Sequence, residues 1–519
     1  MSRNQNKLKQ KQLQIRQNYE KQKMQATSQT QANANSGKQI NILAWGATPY
    51  VITGFGCVMK EILQNLFKQN PGVYNIHLVG INFHGDHADE FAITGGLQNG
   101  RFIQWPAAVH SPHGANLYGQ PKFLDVLRQN ANIDYDAIFL FEDPFWVGGG
   151  IPGSQSQAPF VDQIRSILQA TGRAHVPIVA YFPIDGIPKQ SWVQNISKVD
   201  VPITYLNFGA GECVKACPAL NGRIHVIPHG VNTKEFFPIP KEEALMFKRA
   251  MFGERLGKRY MVLNVNRNQL RKLIPSNLLA FKEFQKLVPD SFMYLNMRPV
   301  DVGWNLIECC NALQLRIGED VVFPPEFAVQ KGLPIEDLNK IFNCADLLTT
   351  TAVGGGWELS ISQAFATKTA VLAPANTSHI ELCGDQNNPD AIRGKLFKSG
   401  SNLSQIMLFP SDNEVCRPLP DLDDMVSQMK FLHDNPEFTS KMVNNAHSWV
   451  NNNILWDKHI APKFHEVFSF AKRVKLDRLA QIQAQQQSVA ARTVVEPQNQ
   501  KVTNQSAQDF GTGDITIKP

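Results

Sequence analysis

The first half of the chain alternates short apolar runs with stretches of helical spacing. INILAW (40–45) is an apolar run that ends in a Gly/Thr/Pro loop, and GFGCVMKEILQNLF then repeats apolar residues at the spacing of an amphipathic helix. Further apolar runs lie at 75–83, 135–142, 176–185, 201–206 and 223–230. Alternating strands and helices predict a parallel sheet that is covered by helices on both faces.

The same pattern restarts in the second half. Apolar runs separated by helical stretches lie at 259–267, 291–297, 320–324, 347–351 and 369–375. This pattern predicts an α/β fold of two Rossmann-like domains, an N-terminal one over 39–232 and a C-terminal one over 233–445. The two domains are expected to face a cleft at the carboxyl ends of their strands. The stretch 446–477 has helical spacing and is rich in aromatic residues.

Both ends of the chain are polar and predicted to be disordered. Residues 1–38 and 478–519 are rich in Gln and Asn, although AQIQAQQQSVAA can extend a helix. The formal net charge is +6, yet residues 1–38 alone carry eight Lys and Arg against one Glu, which leaves the rest of the chain near neutral. A near-neutral body argues against nucleic-acid binding. The tails are either solvated or tethers to a partner.

Composition places the protein in a reducing compartment. Its 8 Cys are scattered and form no C-x-x-C pair. No apolar run approaches the roughly 20 residues of a transmembrane helix, and the N-terminus has no apolar signal-peptide core. HGDH (84–87) has the residue types of a metal site but lacks matching ligands elsewhere. We therefore expect a cytoplasmic protein without a transmembrane segment or a metal site.

Two loops that follow predicted strands carry residue types that hold a diphosphate. TPYVITGFG places Gly54 and Gly56 at the turn into a helix, where the backbone can approach a ligand and free amides can meet an anion. NVNRNQLRKL places Arg267 and Lys272 around a polar loop, where they can converge on a diphosphate. A tight turn and two solvated basic side chains are the alternative interpretations. The G-x-G-x-x-G spacing of a nicotinamide site is missing.

Together with the junction IPHGVNTKEFFP and the helix GGGWELSISQA, these loops occur in an order that resembles retaining glycosyltransferases of the GT-B fold, the large family 4 group. The resemblance covers about residues 39–460. It implies that Gly54 and Gly56 lie near the donor phosphates and the acceptor. It also implies that Arg267 and Lys272 bind the diphosphate of the donor.

The resemblance further implies a hexosyltransferase that needs no cofactor or metal. Its donor would be a nucleoside diphosphate sugar, most commonly a uridine diphosphate sugar. The acceptor would be a hydroxyl of a glycan, a lipid or a protein, and the configuration at the sugar would be retained. The stretch 446–477 would form a helix that crosses back and packs on the first domain.

The stretch VGGGWELSISQA departs from the pattern of that group. Members usually carry two Glu separated by seven residues, one approaching the donor sugar and the other holding the ribose. Here those positions are Gly355 and Gln363. Gln363 still has an amide for hydroxyl groups, and the backbone amides of Gly356 and Trp357 can meet the diphosphate. Glu358 is close in sequence, but from its place at the helix start we expect it to point elsewhere.

The missing carboxylates leave two hypotheses open. Retaining transferases of this kind are thought to work by internal return, in which the leaving diphosphate helps to deprotonate the acceptor and the enzyme positions and stabilises charge. On that basis we predict an active enzyme with Arg267 and Lys272 neutralising the leaving group. The alternative is a catalytically impaired nucleotide-sugar binder that acts as an interaction module.

Acceptor-side chemistry is expected at strand ends of the first domain. YFPIDGIP ends a strand at the predicted cleft, which makes Asp185 the leading candidate for a catalytic carboxylate on that side. Glu142 and Asp143 end the preceding strand and are further candidates. His229 in the junction is interpreted as structural.

Overall fold

A computed structural model of the chain describes residues 39–85, 90–108, 118–151, 158–325, 333–408 and 415–495. Two parallel sheets lie within one compact unit that ends at Lys475. A second unit begins at Leu476 and is described only as the last part of the helix Ala461–Val495. Residues 478–495 are therefore helical, whereas the predicted disorder of 1–38 and 496–519 falls outside the described residues.

The first sheet has seven strands within the described residues, and all neighbouring strands are parallel. They are β1 Ile40–Ala47, β2 Tyr74–Ile81, β3 Gly100–Pro106, β4 Ala137–Phe141, β5 Ile178–Phe182, β6 Val201–Thr204 and β7 His225–Val226. The connecting helices are Gly54–Gln69, Glu90–Thr94, Gln120–Gln129, Pro144–Val147, Phe160–Ala170, Gln190–Ile196 and Asn207–Ala216. The order β3-β2-β1-β4-β5-β6-β7 reverses direction between β1 and β4, which is where open α/β sheets bind ligands.

The second sheet repeats this plan with six parallel strands in the order β10-β9-β8-β11-β12-β13. They are β8 Tyr260–Asn264, β9 Ser291–Leu295, β10 Val321–Val322, β11 Leu347–Thr349, β12 Ala370–Pro374 and β13 Lys395–Phe397. Its helices are Lys241–Leu256, Ile274–Leu287, Leu306–Ala312, Ile335–Cys344, Leu359–Ala366, Thr377–Cys383, Leu422–Asp434 and Pro436–Asn453. The reversal lies between β8 and β11, so the loops after these two strands flank the expected ligand crevice.

An antiparallel hairpin is inserted after the last strand of the second sheet. Its strands are β14 Ile406–Leu408 and β15 Cys416–Pro418. The pattern of apolar residues does not predict this hairpin, because each strand is only three residues long.

The central strands are short apolar runs because both faces of each sheet are covered. Every residue of β4 and of β5 is buried, as is usual for parallel strands between two helical layers. In the first domain Trp45 meets Phe160 on one face with ring centroids 5.0 Å apart. On the other face Phe139 meets Phe468 at 5.2 Å. The predicted α/β class with two Rossmann-like domains is confirmed.

The chain returns to the first domain after the second sheet. Residues 446–477 contain the end of the helix Pro436–Asn453, a π-helical turn at Trp456–Ile460 and the start of the helix Ala461–Val495. Leu455 pairs with Val231 of the junction through a parallel bridge. The hydroxyl of Tyr74 in the first sheet lies 2.7 Å from Nδ1 of His465, so this helix is fixed to the first domain by a partly buried polar contact as well as by aromatic packing.

Candidate functional site

The loop after β1 has one glycine that packing requires and one that it does not. Thr53 caps the helix Gly54–Gln69, and its Oγ1 accepts a hydrogen bond from the amide of Gly56 at 3.1 Å. A Cβ on Gly56 would lie 2.9 Å from the carbonyl oxygen of Thr48, which leaves no room for a side chain. A Cβ on Gly54 would meet only Leu359 of the second domain, at 3.8 Å. Gly54 therefore faces the second domain with room for a small side chain.

Lys272, one of the two basic residues of the loop after β8, forms a buried ion pair. Lys272 ends a short 3-10 turn, and its Nζ contacts Glu358 Oε1. The two side chains are only 9% and 5% exposed. Glu358 lies at the start of the helix Leu359–Ala366, in the loop after β11. The pair thus joins the two loops that flank the reversal of strand order in the second sheet.

The carboxylate of Glu358 fills the space beside Gly355. A Cβ built on Gly355 would lie 2.8 Å from Glu358 Oε1 and 3.3 Å from its Cγ. The expectation that Glu358 points elsewhere is therefore wrong: its side chain folds back across the turn because Lys272 attracts it there. A carboxylate is present beside position 355 although residue 355 itself is glycine.

His379 completes the surroundings of this carboxylate. Its Nδ1 lies 2.9 Å from Asn376 Oδ1, and its Nε2 faces Glu358 Oε1 at 3.8 Å. Burial by itself raises the pKa of Glu358, but the Lys272 ammonium and His379 outweigh burial and hold this pKa at about 2. Glu358 is therefore ionised throughout the neutral range.

The other two glycines of the stretch leave space for backbone atoms of the first domain. A Cβ on Gly354 would collide with the carbonyl oxygen of Asp185, and one on Gly356 would lie 2.9 Å from Pro183 Cα. The amide of Gly355 donates to Thr377 Oγ1 at 3.1 Å. These glycines therefore serve close packing of two domains, and the Gly355 amide is already used within the second domain.

Asp185 lies at this contact and is held by two arginines of the second domain. Arg417 NH1 and NH2 lie 3.2 and 3.3 Å from the two carboxylate oxygens, and Arg271 Nε lies 3.9 Å from Oδ2. Arg417 NH1 also donates to the carbonyl oxygen of Asp185. Burial raises the pKa of Asp185, but Arg417 and Arg271 outweigh this and lower it below the usual value. Asp185 is thus an ionised carboxylate at the cleft, bound across the domain boundary.

The sequence did not indicate Arg417 or Arg271 as members of the site. Arg417 comes from β15 of the inserted hairpin and is buried, with 2% of its side chain exposed. Arg271 donates to the carbonyl oxygen of Gly354 at 3.0 Å. Together with Lys272 they place three cations around the carboxylates of Asp185 and Glu358. An anion at this place would therefore be attracted.

Arg267 lies in a more exposed position. Its Nε and NH2 donate to the two oxygens of Asp301 at 2.8 and 3.2 Å, and its side chain is 59% exposed. The hydrogen bond to Asp301 raises the pKa of Arg267. Arg267 and Lys272 thus start from the same loop but bind different carboxylates, and a diphosphate that used both would compete with Asp301 and Glu358.

The remaining donor-side candidates lie on or beside the helix Leu359–Ala366. Gln363 is half-buried and lies one turn after Leu359, on the face that approaches Gly54. Trp357 is nearly buried, and its indole packs edge-on against His229 with centroids 5.7 Å apart. Burial lowers the pKa of His229 to about 3, which fits the structural role predicted for it.

Glu142 and Asp143 directly follow β4, next to the reversal in the first sheet. Glu142 is 5% exposed and accepts a hydrogen bond from the Asp143 amide at 3.3 Å. Burial raises the pKa of Glu142 well above 4.5, and the charge of Asp143 raises it further. Asp185 is the one of these three acidic candidates whose contacts with the second domain are described above.

Solved structures of glycosyltransferases share this arrangement of two sheets. A sucrose-phosphate synthase from Thermosynechococcus elongatus is 14% identical, and the comparison covers 83% of this chain and 98% of that one with a TM-score of 0.58. HepE from Anabaena, solved in complex with UDP-glucose, is also 14% identical over 83% of this chain and 100% of its own, with a TM-score of 0.56. This chain has the GT-B fold.

A third GT-B structure, a glycosyltransferase from Rickettsia africae ESF-5, is 13% identical over 83% of this chain and 98% of its own, with a TM-score of 0.56. At these identities the similarity concerns the fold alone. No protein-family model and no curated protein matches the sequence.

Among the described helices, none combines the length and apolarity that a membrane span requires. The described residues also contain no group of three His, Cys, Asp or Glu that could hold a metal ion. Asp86 and His87 of HGDH lie outside them.

Proposed function

We propose that the protein is a glycosyltransferase that moves a hexose from a nucleoside diphosphate sugar, of the uridine diphosphate type, to a hydroxyl acceptor with retention of configuration. The GT-B fold and the cations around the cleft support this proposal. The observation that carries it is the position of Glu358, whose carboxylate fills the space beside Gly355. The neighbouring Lys272 ammonium stabilises the ionised form of this carboxylate.

In this proposal Glu358 supplies the carboxylate that position 355 lacks. The family resemblance assigns a carboxylate at position 355 to the donor sugar, and Glu358 Oε1 lies 2.8 Å from where a side chain at 355 would begin. Lys272 orients Glu358 and adds positive charge near the diphosphate. Gln363, on the helix face toward Gly54, hydrogen-bonds the nucleotide ribose.

Transfer itself requires charge stabilisation more than a protein nucleophile. Arg267, Arg271 and Lys272 neutralise the leaving diphosphate, which takes the proton of the acceptor hydroxyl as the new glycosidic bond forms on the same face. Arg417 and Arg271 stabilise the ionised form of Asp185. The remaining lone pairs of this carboxylate accept a hydrogen bond from the hydroxyl group of the acceptor substrate. It therefore positions the acceptor at the boundary between the domains.

A non-catalytic nucleotide-sugar binder is the second candidate, and one observation favours it. Both predicted diphosphate ligands are already bound by carboxylates, Arg267 by Asp301 and Lys272 by Glu358. If the donor diphosphate cannot displace Asp301 from Arg267 and share Lys272 with Glu358, the donor binds without being turned over.

A nucleotide-sugar panel separates the two candidates. Purified full-length protein is mixed with each sugar donor and a mixed set of hydroxyl acceptors, and released nucleoside diphosphate and donor binding are measured in parallel. The proposal predicts release with at least one donor. Binding without release across the panel would support the non-catalytic candidate, and absence of both would contradict the proposed site.

Arg267→Ala tests the donor assignment against a matched control. Arg316 is also exposed, at 66%, and donates to Asp320 through Nε and NH2 at 2.9 Å each. We expect Arg267→Ala to weaken donor binding by about ten- to a hundredfold, because a charge-assisted hydrogen bond is worth roughly 1.5–3 kcal/mol. Arg316→Ala should leave donor affinity unchanged. Equal effects of the two substitutions would contradict the assignment.

Moving the carboxylate back to position 355 tests the role of Glu358. Gly355 has no left-handed backbone angle, so a Glu side chain is compatible with its backbone. We expect Glu358→Gly to lower turnover by about tenfold or more through loss of one hydrogen bond to the sugar. Gly355→Glu in that background should restore at least part of the turnover. A double variant no better than Glu358→Gly would contradict the proposed role.

A further inference from the structure

The imidazole of His379 has a fixed tautomer. His379 is fully buried, and its Nδ1 lies 2.9 Å from Oδ1 of Asn376. The orientation of the Asn376 amide follows from its other contacts, because its Nδ2 lies 3.2 Å from the carbonyl oxygen of Ala352, which can only accept. Oδ1 of Asn376 therefore faces His379 and accepts a hydrogen bond from it, so the imidazole carries a proton on Nδ1.

The other ring nitrogen of His379 faces a carboxylate. In a neutral imidazole with its proton on Nδ1, Nε2 is a hydrogen-bond acceptor. This Nε2 has no hydrogen-bond partner among the described residues, and Oε1 of Glu358, which also accepts, lies 3.8 Å from it. Two buried acceptors that face each other leave a place for a proton between them. A proton on Nε2 would give this nitrogen a partner and would place a positive charge beside Glu358.

A second buried histidine shows how much the facing charge matters. His77 of β2 is 4% exposed, its Nδ1 lies 2.9 Å from the Tyr135 hydroxyl, and its Nε2 also lacks a hydrogen-bond partner among the described residues. Burial and the nearby charge of Arg101 lower the pKa of His77 to about 4, so this ring is neutral near pH 7. His379 differs because it faces a carboxylate that is ionised throughout the neutral range.

Other titratable side chains on and beside the helix that carries His379 have partners elsewhere. Glu381 accepts hydrogen bonds from two backbone amides of the first domain, and Arg393 donates to backbone carbonyl oxygens at the end of the helix. Burial raises the pKa of the Cys383 thiol to about 12, so this thiol is neutral. Glu358 and its partner Lys272 are therefore the charges that decide whether Nε2 takes up a proton.

Donor binding changes the balance between these charges. Lys272 and Glu358 together carry no net charge, so a proton on His379 adds an unbalanced positive charge to a buried site. In the proposed function the donor diphosphate brings negative charge and shares Lys272 with Glu358. Both changes favour a protonated imidazole, because an anion is added and the carboxylate loses part of its cationic partner.

We propose that His379 is a positioning residue that takes up a proton from the solvent on Nε2 when the donor diphosphate binds, and that the imidazolium then holds Glu358 beside Gly355 while Lys272 is shared with the diphosphate. This step rests on the proposed function for the presence of a donor. Since the proton belongs to the bound state, donor affinity is highest at low pH and falls as the pH rises.

Titration calorimetry of the full-length protein with UDP-glucose and with UDP-galactose measures the proton directly. The diphosphate of these sugars is esterified at both ends and has no proton to exchange near neutral pH. Any dependence of the binding heat on the ionisation enthalpy of the buffer therefore reports protons that the protein takes up. His379→Gln removes the titrating ring, and His77→Gln is the matched control with a buried ring and an unpartnered Nε2. Circular dichroism checks that both variants are folded.

We expect the wild type and the His77→Gln variant to take up a fraction of one proton, and their Kd to rise by up to about tenfold per pH unit. His379→Gln should bind without proton uptake and with a Kd that does not change with pH in the neutral range. Binding by the wild type without uptake would overturn the proposal. Uptake that persists in His379→Gln would also overturn it and would indicate another group, such as Glu142, whose pKa burial raises well above 4.5. Absence of any binding contradicts the donor site itself, so the two failures are distinguishable.

Discussion

Breaking the Lys272–Glu358 pair should destabilise the protein by several kcal/mol. Glu358→Gln removes the negative charge while keeping the shape, so the Lys272 ammonium stays buried without a counter-ion. Against the effect of burial, the Lys272 ammonium lowers the pKa of Glu358, while burial lowers the pKa of Lys272, so both side chains depend on the pair to stay charged. Loss of one partner of a buried pair typically costs about 3–5 kcal/mol.

Urea denaturation at several pH values measures this loss. Since the folded-state pKa of Glu358 is depressed, its contribution is complete above about pH 4.5 and disappears as the pH falls toward 2. The difference between the wild type and Glu358→Gln should therefore be about 3–5 kcal/mol at neutral pH and shrink below pH 4.5. Glu283→Gln breaks an exposed pair with Lys286 and should cost less than about 1 kcal/mol.

A double-mutant cycle completes the test. Lys272→Met alone leaves a buried carboxylate, whereas Lys272→Met combined with Glu358→Gln leaves no buried charge, so the double variant should lose less than the sum of the two single losses. Strictly additive losses, or a loss for Glu358→Gln as small as that of Glu283→Gln, would refute a strong buried pair and with it the argument that Lys272 fixes the carboxylate beside Gly355.

Three further predictions concern the domain contact. Arg417→Gln should lower stability by about 1–3 kcal/mol because it leaves the Asp185 carboxylate poorly compensated; the denaturation midpoint measures this, and an unchanged midpoint would contradict it. Gly356→Ala should cost about 1–3 kcal/mol through a clash with the first domain, while Gly211→Ala, whose Cβ meets nothing within 4 Å, should be neutral or stabilising in the same assay. Burial lowers the pKa of His229 to about 3, so its contribution to stability should fall as the pH drops from about 6.5 toward 3, and His229→Gln should remove that part of the pH dependence in thermal unfolding.

The fold was largely predictable because parallel strands between two helical layers are almost entirely apolar. The sequence does not predict β3 (Gly100–Pro106), because Arg101 and Gln104 interrupt its apolar pattern. This strand lies at the edge of the first sheet, where one side is open and polar residues are tolerated. A second difference concerns β7 (His225–Val226), which is only two residues long, although the predicted apolar run extends over 223–230.

The sequence predicts the part of the site that lies in loops directly after strands. The loops with Lys272 and Glu358 come after β8 and β11, where the reversal of strand order predicts a ligand crevice. The direction of the Glu358 side chain depends on an ion pair with a residue 86 positions earlier, which spacing within the stretch cannot reveal. Arg417 is still more remote, since it meets Asp185 across 232 positions of the chain.

The glycine stretch 353–364 shows that a local motif can have a packing reason beside a binding one. Three consecutive glycines before a helix suggest backbone amides that hold a phosphate. Here Gly354 and Gly356 make room for the first domain, Gly355 makes room for Glu358, and the Gly355 amide donates to Thr377. The Gly355 amide is therefore already used within the protein, whereas anion binding by the amides of Gly356 and Trp357 stays a prediction. Arg267 is already paired with Asp301, so a diphosphate that binds Arg267 must displace that carboxylate, whereas Glu358 has to stay beside Gly355 to reach the donor sugar in the proposed function.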